Sequence, residues 1–159
     1  MTPETSYRLI PLTQGQFAKV SLHRFEELNQ WKWCAQWQPQ AQTYYAVRAT
    51  EHGPLLLHRF ILGLDFGDPR QGDHKNHNTL DCTDDNLRIA TPSQNHQNRG
   101  RQINNKSGYK GVSFHNRKWR ATIRIKGEYF HLGYYATAEE AHAAYCEAAK
   151  RLHGEFAHF

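Results

Sequence analysis

Between Lys118 and Gly154 the chain changes its hydrophobic period once, from the alternation of a strand to the spacing of a helix. In KWRATIRIKG, Trp119, Ala121, Ile123 and Ile125 fall on one side of an extended backbone. Lys118, Arg120, Thr122, Arg124 and Lys126 fall on the other. GEYFHLGYY continues the pattern, with Phe130 and Leu132 inward and Tyr129 and His131 outward. In TAEEAHAAYCEAAKRLHG, Thr137 and Glu140 form a capping box and Gly154 suits a helix end. Ala141, Ala144, Tyr145, Ala148 and Leu152 recur at helical spacing. The prediction is a three-stranded antiparallel sheet packed on one C-terminal helix. Its uncovered face is basic and aromatic-edged, with Arg117 in the cationic cluster.

The charge distribution agrees. Residues 1–95 hold 9 Lys/Arg against 10 Asp/Glu, whereas residues 96–159 hold 11 against 5. A basic face of that size favours a polyanion. Cys34, Cys82 and Cys146 are widely separated and form no C-x-x-C pair, so neither a disulfide framework nor a structural zinc is expected. MTPETSYRLIP has no signal-peptide core, and PLLLHRFILGL is interrupted by His58 and Arg59. The expectation is a cytoplasmic protein with no membrane partner, of a bacterial or phage-infected cell.

Upstream, YRLIPL, FAKVSL, WKWCAQW and TYYAVRAT are rich in aromatic and β-branched residues between polar turns, which predicts short strands. Trp31, Trp33 and Trp37 read as buried packing residues. Three segments result: residues 1–98, with a β-rich part over 1–54 and a polar motif over 55–98; a linker, RGRQINNKS, over 99–107; and a compact domain over 108–159. The fold class is α+β.

The chemistry concentrates in GDHKNHNTLDCTDDNLRIATPSQNHQN, residues 72–98. Thr91, Pro92 and Gln94 mark a helix start, with Asn95 in its first turn. NLRIA alternates as a strand, with Leu87 and Ile89 on one side. The order is strand, loop, strand, helix. A hard cation such as Mg²⁺ or Mn²⁺ prefers oxygen ligands and keeps waters. Asp73 offers a carboxylate and Asn95 an amide oxygen. His74 points to the opposite side of the backbone and suits a general base acting on water. Asn86 can fix the region around His74. The same residue types are also ordinary loop formers.

The run DH, then NL twelve residues after the histidine and SQN twenty-one after it, resembles the HNH family of ββα-metal endonucleases. It is closest to the phage and homing-type branch, whose final metal ligand is Asn, and LHRFILG resembles that branch's lead-in. The resemblance implies a ββα-metal hairpin–helix in which Asp73 and Asn95 are metal ligands, His74 is the general base and Asn86 the hairpin asparagine. His77 stands where relatives commonly carry glycine, and Asp84 and Asp85 stand where they carry a basic pair.

NKSGYKGVSFHNRKWRATIRIKGEYFHLGYYATAEEAHAAYCEAAKRLHGEFA resembles the apetala-2/ethylene-response-factor (AP2/ERF) DNA-binding domain through its YKGV, KW-x-A-x-I and TAEEA-x-x-AY elements. That likeness implies DNA-facing positions at Lys110, Ser113, His115, Thr122, Arg124, Tyr129 and His131. Ser113 and His115 replace arginines of the plant members. The combined expectation is a metal-dependent, homing- or phage-like endonuclease on double-stranded DNA, nicking as a monomer or cutting both strands as a homodimer. The alternative is a catalytically silent, sequence-specific DNA-binding transcriptional regulator. RNA is a third possible substrate.

Overall fold

The computed structural model describes residues 6–98, 100 and 105–159. Part of the expected linker therefore lies outside the described residues. The chain divides into two compact units, Met1–Ala90 and Thr91–Phe159.

In the first unit, β1 (Tyr7–Pro11) and β2 (Phe17–Ser21) form a hairpin, and β7 (Asp81–Cys82) joins β2 in parallel with Lys19 opposite Asp81. A second sheet is the meander β3 (Cys34–Gln38), β4 (Thr43–Thr50) and β5 (Gly53–Leu56). Two short helices, α1 (Phe25–Leu28) and α2 (Leu57–Ile61), close the core around Ile10, Val20, Leu28, Trp33, Leu57 and Leu87. Of the three tryptophans expected inside, only Trp33 is buried, with Nε1 donating to Leu28 O at 2.9 Å. Trp31 and Trp37 are exposed. Trp31 packs under Arg48 and Trp37 against Tyr44, so each ring is used on one face only. A two-stranded ribbon, β6 (Gln71–His74) and β8 (Leu87–Ala90), sets Asp73 opposite Arg88 and His74 opposite Leu87.

The second unit begins with α3 (Pro92–Asn98). Its predicted start is present: Thr91 N donates to Gln94 Oε1 at 2.9 Å, and Gln94 N to Thr91 Oγ1 at 3.3 Å. The strand–loop–strand–helix order is as read, but α3 groups with the C-terminal residues instead of with the ribbon. Lys110 Nζ helps hold it there, donating to Gln97 O at 2.6 Å and His158 O at 3.2 Å. The sheet is β9 (Val112–His115), β10 (Lys118–Ile125) and β11 (Glu128–Tyr135), with β10 central. α4 (Ala138–His153) covers one face and carries both halves of the Thr137–Glu140 capping box. Ala121, Ile123, Ala141, Tyr145, Ala148 and Ala149 form its apolar contact. Gly111, with φ of +73°, sits where a β-carbon would lie 2.2 Å from Tyr145 Cδ2, so only glycine admits helix and sheet this closely.

Two details depart from simple alternation. Leu152 and Phe130 are exposed, the latter on the edge strand β11. The register of β10 on β11 also slips between Ala121 and Thr122: Ala121 faces Gly133, whereas Thr122 faces His131. Leu132 is the extra residue of a bulge, and everything after it changes face. Tyr134 thereby comes opposite Arg120 on the uncovered side.

Candidate functional site

The last two residues of β6 are both buried. Asp73, 4% exposed, accepts from Arg88 Nε at 2.7 Å across the ribbon. That pairing follows from the register, since directly opposed cross-strand residues share a face. The carboxylate is thus buried and oriented.

His74, 6% exposed, lies among rings. His58 meets it edge-on, centroids 4.9 Å apart, and Tyr45 contacts both imidazoles. Cys82 Sγ stands 3.9 Å from His74 Nε2. Burial pulls His74 down to about 4, although Asp73 and Asp81 oppose the shift. It is therefore neutral at pH 7 and able to accept a proton. Burial also pulls His58 down to about 3, helped by His74 and Arg59, and pushes the Cys82 thiol up to about 12. The close approach of α2 to β6 depends on Gly72, where a β-carbon would stand 2.4 Å from His58 Cδ2.

Asn86 uses both ends of its amide on the loop: Oδ1 accepts from Asn76 N at 3.0 Å and Nδ2 donates to Asp81 O at 2.7 Å. Its brace acts on the backbone flanking His74, not on the imidazole. Asp81 is in turn held by Lys19, Thr83 and Asn76. Asn95 lies on α3, half-buried, its N–H donating to Thr91 O at 2.9 Å. Asp73, His74 and Asn86 are therefore assembled within the first unit, and Asn95 belongs to the second.

In the second unit, strand register gathers most of the remaining candidates on the face opposite α4. Ser113, Arg120 and Tyr134 form one cross-strand row, Thr122 and His131 a second, Arg124 and Tyr129 a third, and His115 lies opposite Lys118. His131 and His115 both pack on Tyr134, at 4.6 and 6.3 Å between centroids. Tyr134 was missed in the sequence because alternation was carried straight through Leu132–Gly133; a glycine inside a strand pattern is the available sign of a bulge. Arg124 lies over Tyr129 and donates from Nε to Gly127 O. Arg117 and Lys126 occupy the two hairpin turns with positive φ. Lys110 differs from the others. Burial pulls its ammonium down to about 8, and it borders a cleft of about 540 Å³ with His96, Gln97, Tyr145 and His153.

Residues 107–155 match the family model for the AP2 domain. An uncharacterized HNH endonuclease of Acanthamoeba polyphaga mimivirus is 32% identical over 155 residues, spanning 95% of this chain and 78% of the relative. Protein 3.8 of Escherichia phage T7 is 34% identical over 89 residues, 55% of this chain and 73% of the relative. No solved structure matches.

The chain belongs to the HNH endonuclease family and carries an AP2 domain.

The geometry of the loop between the ribbon strands accounts for the residues that stand at 77, 84 and 85 of this HNH family member. His77 has φ of +64°, a left-handed conformation in which glycine costs nothing. Asp84 accepts from Arg24 Nε at 2.7 Å, and its N–H donates to Ser21 Oγ at 2.9 Å. Asp84 thus joins the loop to the N-terminal sheet. Asp85 is exposed, and its carbonyl takes Lys75 Nζ at 2.8 Å. Among the described residues no helix of this HNH–AP2 chain is long and apolar enough to cross a membrane.

Proposed function

We propose that this chain is a divalent-metal-dependent DNA endonuclease whose AP2 sheet holds duplex DNA while the HNH motif hydrolyses a phosphodiester. The observation that carries the reading is the buried, neutral His74 beside the ion-paired Asp73. A carboxylate oxygen suits a hard cation, and Asp73, oriented by Arg88 at 2.7 Å, is a fitting first ligand. Asp73 would be the first unit's ligand to Mg²⁺ or Mn²⁺, which when bound supplies positive charge to the phosphate.

The chain's own groups do the rest. His74 takes a proton from water as the water oxygen attacks phosphorus in line. The bond from phosphorus to the 3′ oxygen breaks, and that oxygen leaves to gain a proton from solvent. The products are 5′-phosphate and 3′-hydroxyl ends. The ring contacts of His58 and Tyr45 limit how far His74 can turn. Arg120, Thr122 and Arg124 supply cationic and hydrogen-bonding contacts to the duplex. A single such site cuts one strand, so a monomer nicks.

The test is supercoiled plasmid with Mg²⁺. The wild-type protein should convert it to the open-circular form, EDTA should stop the reaction, and His74→Ala should lower the rate by about 10²–10⁴ while binding DNA normally. If both proteins bind DNA and neither nicks it, the chain is a DNA-binding regulator. The cationic sheet face, with Lys118, Arg120 and Arg124 away from any carboxylate among the described residues, favours that second reading.

A further inference from the structure

The N-terminal sheet carries a cation that has no acid partner among the described residues. Arg48 on β4 lies with its guanidinium 4.1 Å from the Trp31 ring centroid and about 5.5 Å from those of Trp33 and Phe60. Among the described residues it makes no ion pair, and its Nε is buried without a hydrogen-bond partner. Aromatic rings thus cover the faces of the fork, and with Nε buried its two terminal nitrogens remain for recognition. Arg48 borders a cleft of about 600 Å³ in the first unit. Leu55, Phe60, Leu64 and Phe66 make the wall apolar, and His52 meets Phe66 edge-on at 5.9 Å. Two carboxylates, Glu51 and Asp65, also border it; Glu51 lies 3.5 Å from His52 Nε2. A fork clamped by rings beside an apolar, ring-bearing wall matches a ligand with one negative charge and a flat apolar body.

The geometry points to a nucleotide of the DNA substrate in this cleft, its phosphodiester on the Arg48 fork and its sugar and base along the Phe60–Phe66 wall. This rests on the DNA endonuclease reading and extends it to the N-terminal sheet, for which the sequence offered no chemistry. A planar guanidinium forms paired hydrogen bonds with phosphate oxygens, and base stacking on an aromatic side chain tolerates any sequence.

The test uses the full-length protein in EDTA, where binding is separated from cleavage, with duplex DNA and a single-stranded oligonucleotide as probes. Arg48→Met keeps the stem and removes the charge. It should weaken binding several-fold and reduce the salt slope of log Kobs by about one. Arg48→Lys should keep the slope and lose part of the affinity, and it serves as the folded control alongside thermal melts. Phe66→Ala should weaken binding, more for the single strand, with the slope unchanged. The change that DNA makes in tryptophan fluorescence should be smaller in Trp31→Phe than in the wild type. If Arg48→Met and Arg48→Lys both bind with wild-type affinity and slope, while Arg124→Ala loses both, the cleft is not a nucleotide site and the endonuclease reading stands. If the wild-type protein binds neither probe, the DNA reading falls and this inference with it.

Discussion

The loop and ribbon of the first unit and the open sheet face of the second are equally polar, but they dispose of their charges in opposite ways. Asp73, Asp81 and Asp84 each meet a cation of the same unit: Arg88 at 2.7 Å, Lys19 at 3.5 Å and Arg24 at 2.7 Å. Lys118, Arg120 and Arg124 meet no carboxylate among the described residues, and Arg124 satisfies its Nε on a backbone carbonyl. Charge in that loop and ribbon holds the architecture around one imidazole; charge on the open sheet face is left for a partner. Composition alone does not distinguish these uses.

The contrast is broken most strongly by Gly72→Ala. The added methyl would stand 2.4 Å from His58 Cδ2 and 3.0 Å from Leu62 Cδ1, so α2 or β6 must shift. Overpacking of this kind costs about 1–3 kcal/mol. The melting transition of the first unit should fall by several degrees, and nicking should fall with it because His58 contacts His74. Tyr129→Ala, on a side chain 73% exposed, should leave stability unchanged and weaken DNA binding. A thermally silent Gly72→Ala would mean that ring packing does not set the site.

Acid should act on the same unit. His58 is held at about 3 when folded, against an ordinary 6.5, so the unfolded chain takes up its proton first. The stability linked to His58 is present above pH 6.5 and is lost as pH falls towards 3, at up to about 1.4 kcal/mol per pH unit. His58→Phe should flatten the urea-midpoint profile of the first unit between those pH values. An unchanged profile would assign acid sensitivity elsewhere.

Binding provides a third, smaller contrast. Arg124→Ala should lower the salt slope of DNA binding by about 0.9 and raise Kd several-fold, because its charge is available to a phosphate. Arg24→Ala should leave that slope unchanged, since Arg24 is taken up by Asp84, and should cost stability instead. Equal effects on the slope would erase the distinction between the two regions.

How much of this was legible follows the same division. In the second unit each element is announced by residues a few positions apart: alternation over 118–125, the Thr137–Glu140 cap and the Thr91–Gln94 cap. The one error of register there came from a single bulge at Leu132, which moved Tyr134 to the open face. In the first unit the motif's spacing located Asp73, His74 and Asn86, but their surroundings are non-local. β7 is two residues long and exists because it pairs with β2, some sixty residues earlier. The His58–His74 contact and the Asp84–Arg24 pair likewise join segments that no local pattern relates. The placement of α3 shows the same limit: its cap was readable, but its grouping with the C-terminal unit, where Lys110 reaches Gln97 O, was not.

Two strained turns permit the finest comparison. His77 has φ of +64° and Arg117 φ of +61°, and both lie in loops that join strands. A left-handed residue with a β-carbon costs about 1–2 kcal/mol, and glycine returns part of the gain through a freer unfolded chain. His77→Gly should therefore stabilise the first unit by roughly 0.5 kcal/mol, seen as a higher urea midpoint with unchanged m, and DNA binding should not change. Arg117→Gly should raise the midpoint of the second unit by a similar amount but lower the salt slope by nearly one, because this turn also carries a cation of the open face. If Arg117→Gly stabilises without any loss of slope, its charge does not reach the DNA, and the partner-facing charge is confined to the strands.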